Sequence, residues 1–415
     1  MTPFKVGFFL ALRQIRRSNP WTTLLIIFVM MLTFLNLVVI SGVLVGLIAG
    51  SEEAFRYRYA GDVIVSKLIE KPYIERTTEL LSAIEQSSGL KEYTVRYLQS
   101  GTVETGYKDT IKKDNEVRVA AGGQFAGIDP EKEERMFHLS GYVVEGEYLN
   151  NSDYDMIMLG ANLLYKYTPI DSPSFRPLRN VEPGTKVRVR IGDITREMTV
   201  KGIVKTKSGE LDQRIYINAA QLRQMIGRND FNVNEISILL NETVTPEIFR
   251  DNLIAQGFDR YANIQVWSQA IPQFLDQIKT TFGILGNLIG GIGLIVASIT
   301  IFIVIFVNIV TRRKFIGILK GIGISPETIE VSYVFQSIFY AVIGSFLGML
   351  VVFLVLQPFI AAHPINFPFS DGILVATISG TFIRAFVLLI ATLLAGYIPA
   401  RLIVRKNTLD AILGR

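Results

Sequence analysis

Apolar positions in this chain crowd toward its two ends, and the middle alternates polar and apolar residues like an ordinary folded domain. A membrane crossing needs about 20 largely apolar residues. Four stretches meet that length, at 21–49, 282–310, 329–360 and 373–404, and the second of them contains no charged residue. The first run is far longer than the apolar core of a secretory signal, and no A-x-A-like site follows it, so it reads as a retained anchor.

Between the first and second runs the periodicity changes. At 186–191, Val187, Val189 and Ile191 alternate with Arg188 and Arg190, the period of a half-buried strand. Further strands are expected at 62–66, 117–121, 198–204, 214–217 and 235–239, with helices at 75–86, 219–226 and 245–256. Thr245 ahead of Pro246 and Glu247 is a helix start. Pro183–Gly184 and Gly192–Asp193 mark turns. The mixed order predicts an α+β domain of two lobes, followed by a helix that begins near Ser268 and runs straight into the second span.

Lysine and arginine set the orientation, because cytoplasmic loops carry them in excess. Arg13, Arg16 and Arg17 precede the first span, Arg312, Arg313, Lys314 and Lys320 fill the link between the second and third, and Arg401, Arg405 and Lys406 close the fourth. The link between the third and fourth spans has neither residue type. All the basic sets share one side only if both termini are cytoplasmic. The fold class is then a membrane protein, an α-helical four-span bundle with a large inserted α+β extracytoplasmic domain.

The expected organisation is an interfacial amphipathic helix (1–20), span one (21–49), the extracytoplasmic domain (50–272), a stalk with span two (273–311), a cytoplasmic coupling segment (312–327), span three (328–360), a short outer loop (361–372), span four (373–404) and a cytoplasmic tail (405–415). Within the first segment Phe4, Phe8, Ala11, Leu12 and Ile15 share one helical face, as an interfacial helix on the inner leaflet requires. A basic topology signal without fixed structure is the other reading.

Composition narrows the chemistry. The chain is 49% hydrophobic with a mean hydropathy of +0.35. Its net charge of +5 and pI near 9.1 come from clusters at the ends of apolar runs, which argues against nucleic acid as a partner. There is no cysteine, and only His138 and His363 offer imidazole, so no metal site of the usual nitrogen and sulfur type is expected. No Gly-Lys pair occurs, which rules out the phosphate-cradling G-x-x-x-x-G-K-[ST] loop, and H-E-x-x-H and G-x-S-x-G are absent as well. No catalytic residues are expected, and carboxylate pairs such as Glu52–Glu53 and Glu133–Glu134 read as a solvated face.

The link TRRKFIGILKGIGISPETIEVSYVFQS mixes charge with Phe315, Ile316, Ile318 and Leu319. It reads either as a short amphipathic helix entering a groove on a cytoplasmic partner or as a tight turn obeying the positive-inside rule. Ser325-Pro326-Glu327 reads as the start of span three. Asn287, Asn308 and Gln336 are expected to hydrogen-bond between helices. Arg384 leaves two readings: a functional charge within the membrane, or an outer-interface residue with span four starting at 385.

RRKFIGILKGIGISPETI resembles the R-R-x-E-I-G-I-L-x-A-L-G-A signature of the FtsX/MacB-type ABC permeases. AGYIPARLIVRKNTLDAILGR resembles that family's C-terminal ending at Gly396, Pro399, Ala400, Ala411 and Leu413, and Gly344 and Gly348 match its small-residue spacing. Weaker echoes of the lipoprotein-release permeases LolC and LolE lie in GIDP, MIMLGANLLYKY and MTVKGIVKTKSGELDQRIYINAAQLRQMIG. Phe315 stands where the family usually has glutamate, Gln336 stands where glutamate is common, and the hairpin at 187–204 is too short for a LolC-type hook. The resemblance implies a permease subunit in the bacterial inner membrane that passes ATP-driven motion to its outer domain, exporting or extracting an amphiphile, lipoprotein or peptide. It implies no cofactor in this chain, with ATP and Mg on a partner ATPase docked at Arg313, Phe315, Ile316, Leu319, Lys320 and Gly321. Further implied partners are a second permease copy or paralogue, a periplasmic adaptor or chaperone, and membrane lipid. Two other classes stay open: an ATPase-linked regulator of a cell-wall hydrolase, and an anchored binding protein without an ATPase.

Overall fold

The structure, a computed structural model, describes residues 3–106, 120–169, 176–363, 365–367, 370–372, 374 and 376–405. In chain order the elements are α1 (Pro3–Arg16), α2 (Pro20–Phe55), β1 (Val63–Lys67), α3 (Thr77–Gln86), β2 (Leu90–Glu104), β3 (Ala120–Ile128), α4 (Pro130–Phe137), β4 (Val143–Gly146), β5 (Met156–Gly160), β6 (Lys186–Ile191) and β7 (Ile194–Val204). They continue with α5 (Gly209–Asp212), β8 (Arg214–Asn218), α6 (Ala219–Met225), β9 (Glu235–Leu240), α7 (Pro246–Ala255), β10 (Ala262–Val266), α8 (Gln273–Thr311), α9 (Arg313–Gly321), α10 (Pro326–Val351), α11 (Gln357–Ala362), β11 (Ile365–Phe367), β12 (Ser370–Gly372) and α12 (Ile378–Val404). The chain divides into two compact units, one holding the apolar helices and the other spanning Ala49–Asp276 with Phe367–Ser370.

Among the described residues four helical stretches, lying mostly in the first unit, are long and apolar enough to cross a membrane: Pro20–Ala60, Asp276–Thr311, Pro326–Ala362 and Ile378–Val404. Their limits refine the expected ones. The third is interrupted by a π-helical turn, Val352–Leu356, just ahead of Pro358. Proline has no N–H to donate and its ring crowds the carbonyl four residues back, so the ladder re-registers there. The fourth starts at Ile378, not 373, with the Thr377 hydroxyl accepting from Gly380 N. The helix leading into the second span starts at Gln273, not near Ser268, because Pro272 breaks any helix arriving from that side.

Small residues decide the packing of this unit. A Cβ on Gly344 would strike Met30 and stand 3.1 Å from Met31 N, and one on Gly348 would strike Phe34, so α10 and α2 meet at backbone distance. Gly396 lies against Ser337 in the same way, bringing α12 onto α10. Such close approach is how helices gain dispersion contacts where lipid offers no hydrophobic drive. The core is completed by Ile301, Ile305 and Ile309 of α8 with Tyr333, Tyr340 and Leu388.

The second unit is built on a ten-stranded sheet, ordered β10-β1-β9-β2-β3-β8-β5-β7-β4, with β6 paired to β2 and β7. Strands β10, β1, β9 and the first half of β2 are all antiparallel neighbours. With α3 between β1 and β2 and α7 between β9 and β10, this lobe is a split β-α-β arrangement doubled, the ferredoxin-like pattern. The second lobe is inserted between β2 and β9, and β2 belongs to both. The expected strands at 62–66, 186–191, 198–204, 214–217 and 235–239 correspond to β1, β6, β7, β8 and β9, while residues 117–119 of another lie outside the described residues. Thr245 occupies the cap position of α7, but its side chain makes no capping bond, so Pro246 alone marks the start. Asp129 caps α4 by accepting from Glu131 N and Lys132 N, a start the sequence reading passed over.

Where the lobes join, a buried charge network is set within the apolar packing. Arg96 of β2, 1% exposed, donates through Nε and Nη2 to both oxygens of Glu133 at 2.7 and 3.0 Å, and through Nη1 to Glu235 at 2.7 Å. Arg214 of β8 donates to Glu235 at 3.2 Å and to the Tyr59 hydroxyl at 2.9 Å, and that hydroxyl donates to Glu235 at 2.5 Å. Two cations face two carboxylates, which offsets the desolvation that any one of them would suffer alone. Glu133, read from sequence as part of a solvated face, is 1% exposed and belongs to this network.

Burial alone would raise the Glu235 carboxyl, but Arg214 and Arg96 beside it, with hydrogen bonds from Arg214 and Tyr59, hold it at about 2, below its ordinary 4.5. A depressed carboxylate stabilises the fold fully above pH 4.5, and that contribution is lost as pH falls toward 2. Removing the counter-charge by Arg96→Met is expected to cost about 3–5 kcal/mol, read as a lowered thermal midpoint of the full chain. Glu235→Gln is expected to flatten the acid limb of the stability profile, and an unchanged limb would contradict the assignment.

Candidate functional site

The link between the second and third spans folds as α9, a helix of 9 residues, and its ends are written in the sequence. At its C-terminus Gly323 takes φ +93°. Ile324 N donates to Leu319 O at 3.0 Å and Gly323 N to Lys320 O at 3.0 Å, the pair of bonds of a Schellman motif. Only glycine takes that left-handed position without strain. Ser325 then caps α10, its hydroxyl accepting from Thr328 N at 3.4 Å, with Pro326 in the first turn. The expected cap at Ser325 is therefore present, and the GIGISP string defines a rigid corner rather than a loose turn.

This corner fixes which side chains of α9 face outward. Ile316 and Leu319 point into the span core and are 3% and 7% exposed. Phe315, Ile318 and Ile322, spaced three and four apart, form a neighbouring stripe at 48%, 55% and 71% exposed. Arg313 and Lys314 are exposed beside it, Lys320 is half-buried, and Gly321 is exposed with open space around its Cα. Burial lowers the Lys320 ammonium against the opposing pull of Glu330. The six residues grouped from sequence thus divide. Ile316 and Leu319 anchor the helix, whereas Arg313, Phe315 and Gly321 stay accessible. Ile318, quoted in the sequence motif, and Ile322 complete the outward stripe, and helical periodicity was the signal for both.

The N-terminal helix joins this surface. A groove of about 530 Å³ is lined by Leu10, Arg13, Gln14, Arg17, Arg312, Phe315 and Leu319. It carries three arginines and no carboxylate. Against α10, α1 turns its small residues, and the apolar face expected to meet the inner leaflet stays outward apart from Ala11. Gly7, Ala11 and Gln14 are buried, while Phe4, Phe8 and Leu12 are exposed. The small face lets the helices close, with a Cβ on Gly7 meeting Val331 at 2.8 Å. The large apolar side chains are left outward, as an interfacial helix needs. Gln336 of α10 donates to the Gln14 side-chain oxygen, a bond between helices as expected for Gln336. Arg405 Nε donates to the buried Glu330 at 3.1 Å and ties the end of α12 to the start of α10.

Pro399 and Ala400 are buried in α12, and Gly396 makes the close approach to Ser337 already described. Ala411 and Leu413 lie outside the described residues. Arg384 donates to the Ser41 hydroxyl of α2. Ser41 follows Pro20 by 21 residues, or about 31 Å of helix, so the pair sits roughly one full hydrocarbon depth of about 30 Å from the start of α2. The helix that carries Arg384 begins at Ile378, before it rather than after it. Among the described residues no group of three or more His, Cys, Asp or Glu side chains is placed to hold a metal ion.

Residues 287–408 match the family model described as FtsX-like permease C-terminal. Both membrane-side motifs, at 312–329 and 396–400, fall within that match. Over 291 residues the chain is 22% identical to an uncharacterized ABC transporter permease of Methanocaldococcus jannaschii, covering 69% of each protein. Among solved structures it is similar to the periplasmic region of MacB from Actinobacillus actinomycetemcomitans, at 14% identity over 50% of this chain and 89% of that one, with a TM-score of 0.33. It is also similar to the extracellular domain of the noncanonic ABC-type transporter YknZ from Gram-positive bacteria, at 14% identity over 49% of this chain and 98% of that one, with a TM-score of 0.29.

Gly344→Val and Gly396→Val are expected to overpack the spans at a cost of about 1–3 kcal/mol each, measured as a lower melting temperature of the detergent-solubilised protein. Gly321→Ala, whose Cβ meets nothing within 4 Å, is expected to leave that temperature unchanged. Equal effects at all three positions would contradict the packing described.

Proposed function

We propose that this chain is a permease of the FtsX-like ABC transporter type, as the match at 287–408 supports, and that α9 is its docking element for a cytoplasmic ATPase. The observation that carries the reading is the outward stripe of Phe315, Ile318 and Ile322 on a rigidly cornered helix. The charge at 312–314 keeps this link out of the hydrocarbon, and an apolar stripe exposed to water marks a protein contact. The adjoining groove with Arg13, Arg17 and Arg312 suits an acidic, partly apolar segment of the partner. ATP and Mg are held by that partner. Both termini and α9 lie in the cytoplasm of a bacterial cell, the chain spans the inner membrane, and the domain at 50–272 lies outside. A second permease copy or paralogue completes the assembly. ATP-driven movement of α9 is passed through the spans to the outer domain, which acts on an amphiphile, lipoprotein or peptide, with a periplasmic adaptor or chaperone as a further partner.

Phe315→Asp and Ile318→Asp are expected to abolish co-purification of the ATPase while leaving the melting temperature within a degree or two of wild type. Leu319→Asp buries a charge in the span core and is expected to destabilise the chain itself. Retention of the ATPase by both outward variants would sink the docking assignment. The absence of native cysteine makes orientation simple to test. A thiol at Ile322→Cys is expected to react with a membrane-impermeant maleimide only after permeabilisation, and one at Asp193→Cys in intact spheroplasts. The reverse pattern would overturn the orientation.

A further inference from the structure

A second cavity of the apolar unit lies beside the turn between α1 and α2 and is separate from the α9 groove. It is a trough of about 650 Å³ lined by Arg16, Ser18, Thr23, Leu24, Ile27, Phe28, Met31, Ile343 and Leu347, with Ile15 and Pro20 at one end. Its two walls are parallel helices. Gly344 of α10 meets Met30 of α2 and Gly348 meets Phe34, so both chains climb in the same direction. Leu24, Ile27, Phe28 and Met31 recur at helical spacing on the α2 wall, and Ile343 and Leu347 stand one turn apart on the other.

The polarity of the trough is graded along its length. From Pro20 to Met31 the walls are almost wholly apolar over 11 residues, about 17 Å of helix, close to the depth of one leaflet of a hydrocarbon core about 30 Å thick. At the lower end the character changes within a single turn. Arg16 is exposed there, and Ser18 donates to Ile15 O at 2.9 Å and pairs with the Thr23 hydroxyl at 2.6 Å. Trp21 at the same level is 78% exposed, where an indole marks the headgroup boundary. The lining has a cation and no carboxylate.

We propose that this trough is a binding site for an anionic phospholipid of the leaflet in which α1 lies, with the headgroup phosphate on Arg16 and one acyl chain along Leu24, Phe28, Met31 and Leu347. The pairing follows from charge and length together. A zwitterionic lipid brings its own cation to the headgroup and gains less from an arginine, while a helix of a second copy would bring no anion for Arg16 and would have to lie against the exposed charge. Occupancy braces α1 against α2 and α10, and α1 forms one wall of the α9 groove, so the lipid supports the surface assigned above to the ATPase. The site itself does not depend on that assignment. It rests on the orientation only for which leaflet supplies the lipid.

The test uses the full-length chain, purified in detergent and delipidated, then offered phosphatidylglycerol or phosphatidylcholine with identical acyl chains and weighed by native mass spectrometry. The wild-type chain is expected to retain one phosphatidylglycerol in preference to phosphatidylcholine. Arg16→Gln is expected to weaken that retention about fivefold, the contribution of one basic residue near a headgroup. Leu347→Trp, which fills the acyl end, is expected to reduce retention of both lipids, and Arg401→Gln, an exposed cation outside the trough, to change nothing. Equal retention of the two lipids, or no loss in Arg16→Gln, would overturn the proposal. So would a disulfide between two copies formed in high yield through Leu24→Cys, which would give the trough to a second chain. Retention in detergent is indifferent to orientation, so a negative result removes the lipid site alone, whereas a wrong orientation shows only in the maleimide experiment.

Discussion

Every backbone N–H and C=O that enters hydrocarbon must find its partner within the protein, and the architecture of this chain follows from that requirement. It permits helices and little else, so each apolar run of the required length becomes one. Breaks are tolerated only where the chain can re-satisfy the freed groups locally. Pro358 forces such a break, and a single π-helical turn takes up the shift. Polar side chains obey the same constraint. Gln336 meets Gln14, Arg384 meets Ser41, and Glu330 meets Arg405. Each of these bonds joins two different helices, so satisfying a polar group also fixes the register between helices.

The spans were legible because their signal is composition over length, which local context cannot override. The strands β6 and β8 were legible for a related reason, since strict alternation or a short apolar run leaves few alternatives. The facing of α9 was only half legible. Phe315, Ile316, Ile318 and Leu319 are all apolar and adjacent, and the sequence alone does not say which pair turns inward. The Schellman corner at Gly323 and the cap at Ser325 settle it by fixing the rotation of the helix relative to α10. The apolar face of α1 was legible as the interfacial one, but the small face that packs on α10 was not, because Gly7 and Gln14 carry no hydrophobic signal. Gly7, Ala11 and Gln14 pack there, while Phe4 stays exposed and Phe8 sets its ring edge-on against Phe335 of α10.

The inserted domain shows what sequence reading finds hardest. Its two lobes share one 15-residue strand, β2, and the second lobe is threaded between two elements of the first. No local pattern announces that insertion. The charge network at the junction is equally hidden, because Arg96, Glu133, Arg214 and Glu235 are far apart in sequence and Glu133 reads as part of a solvated face. Their burial is affordable only as a set, with two positive and two negative groups sharing hydrogen bonds with Tyr59 and Ser237. Such a set specifies how the lobes meet more tightly than apolar contact would, since any displacement strands a charge.

The central claim is that the outward stripe of α9 is a protein-docking surface, and its most direct test is site-specific photo-crosslinking in intact cells. Benzoylphenylalanine is placed singly at Phe315, Ile318 and, as the inward control, Ile316. The account predicts covalent adducts to an ATPase subunit from positions 315 and 318, and only intramolecular products from 316. Adducts to the ATPase from 316 but not from 315 or 318, or none from any of the three, would contradict it.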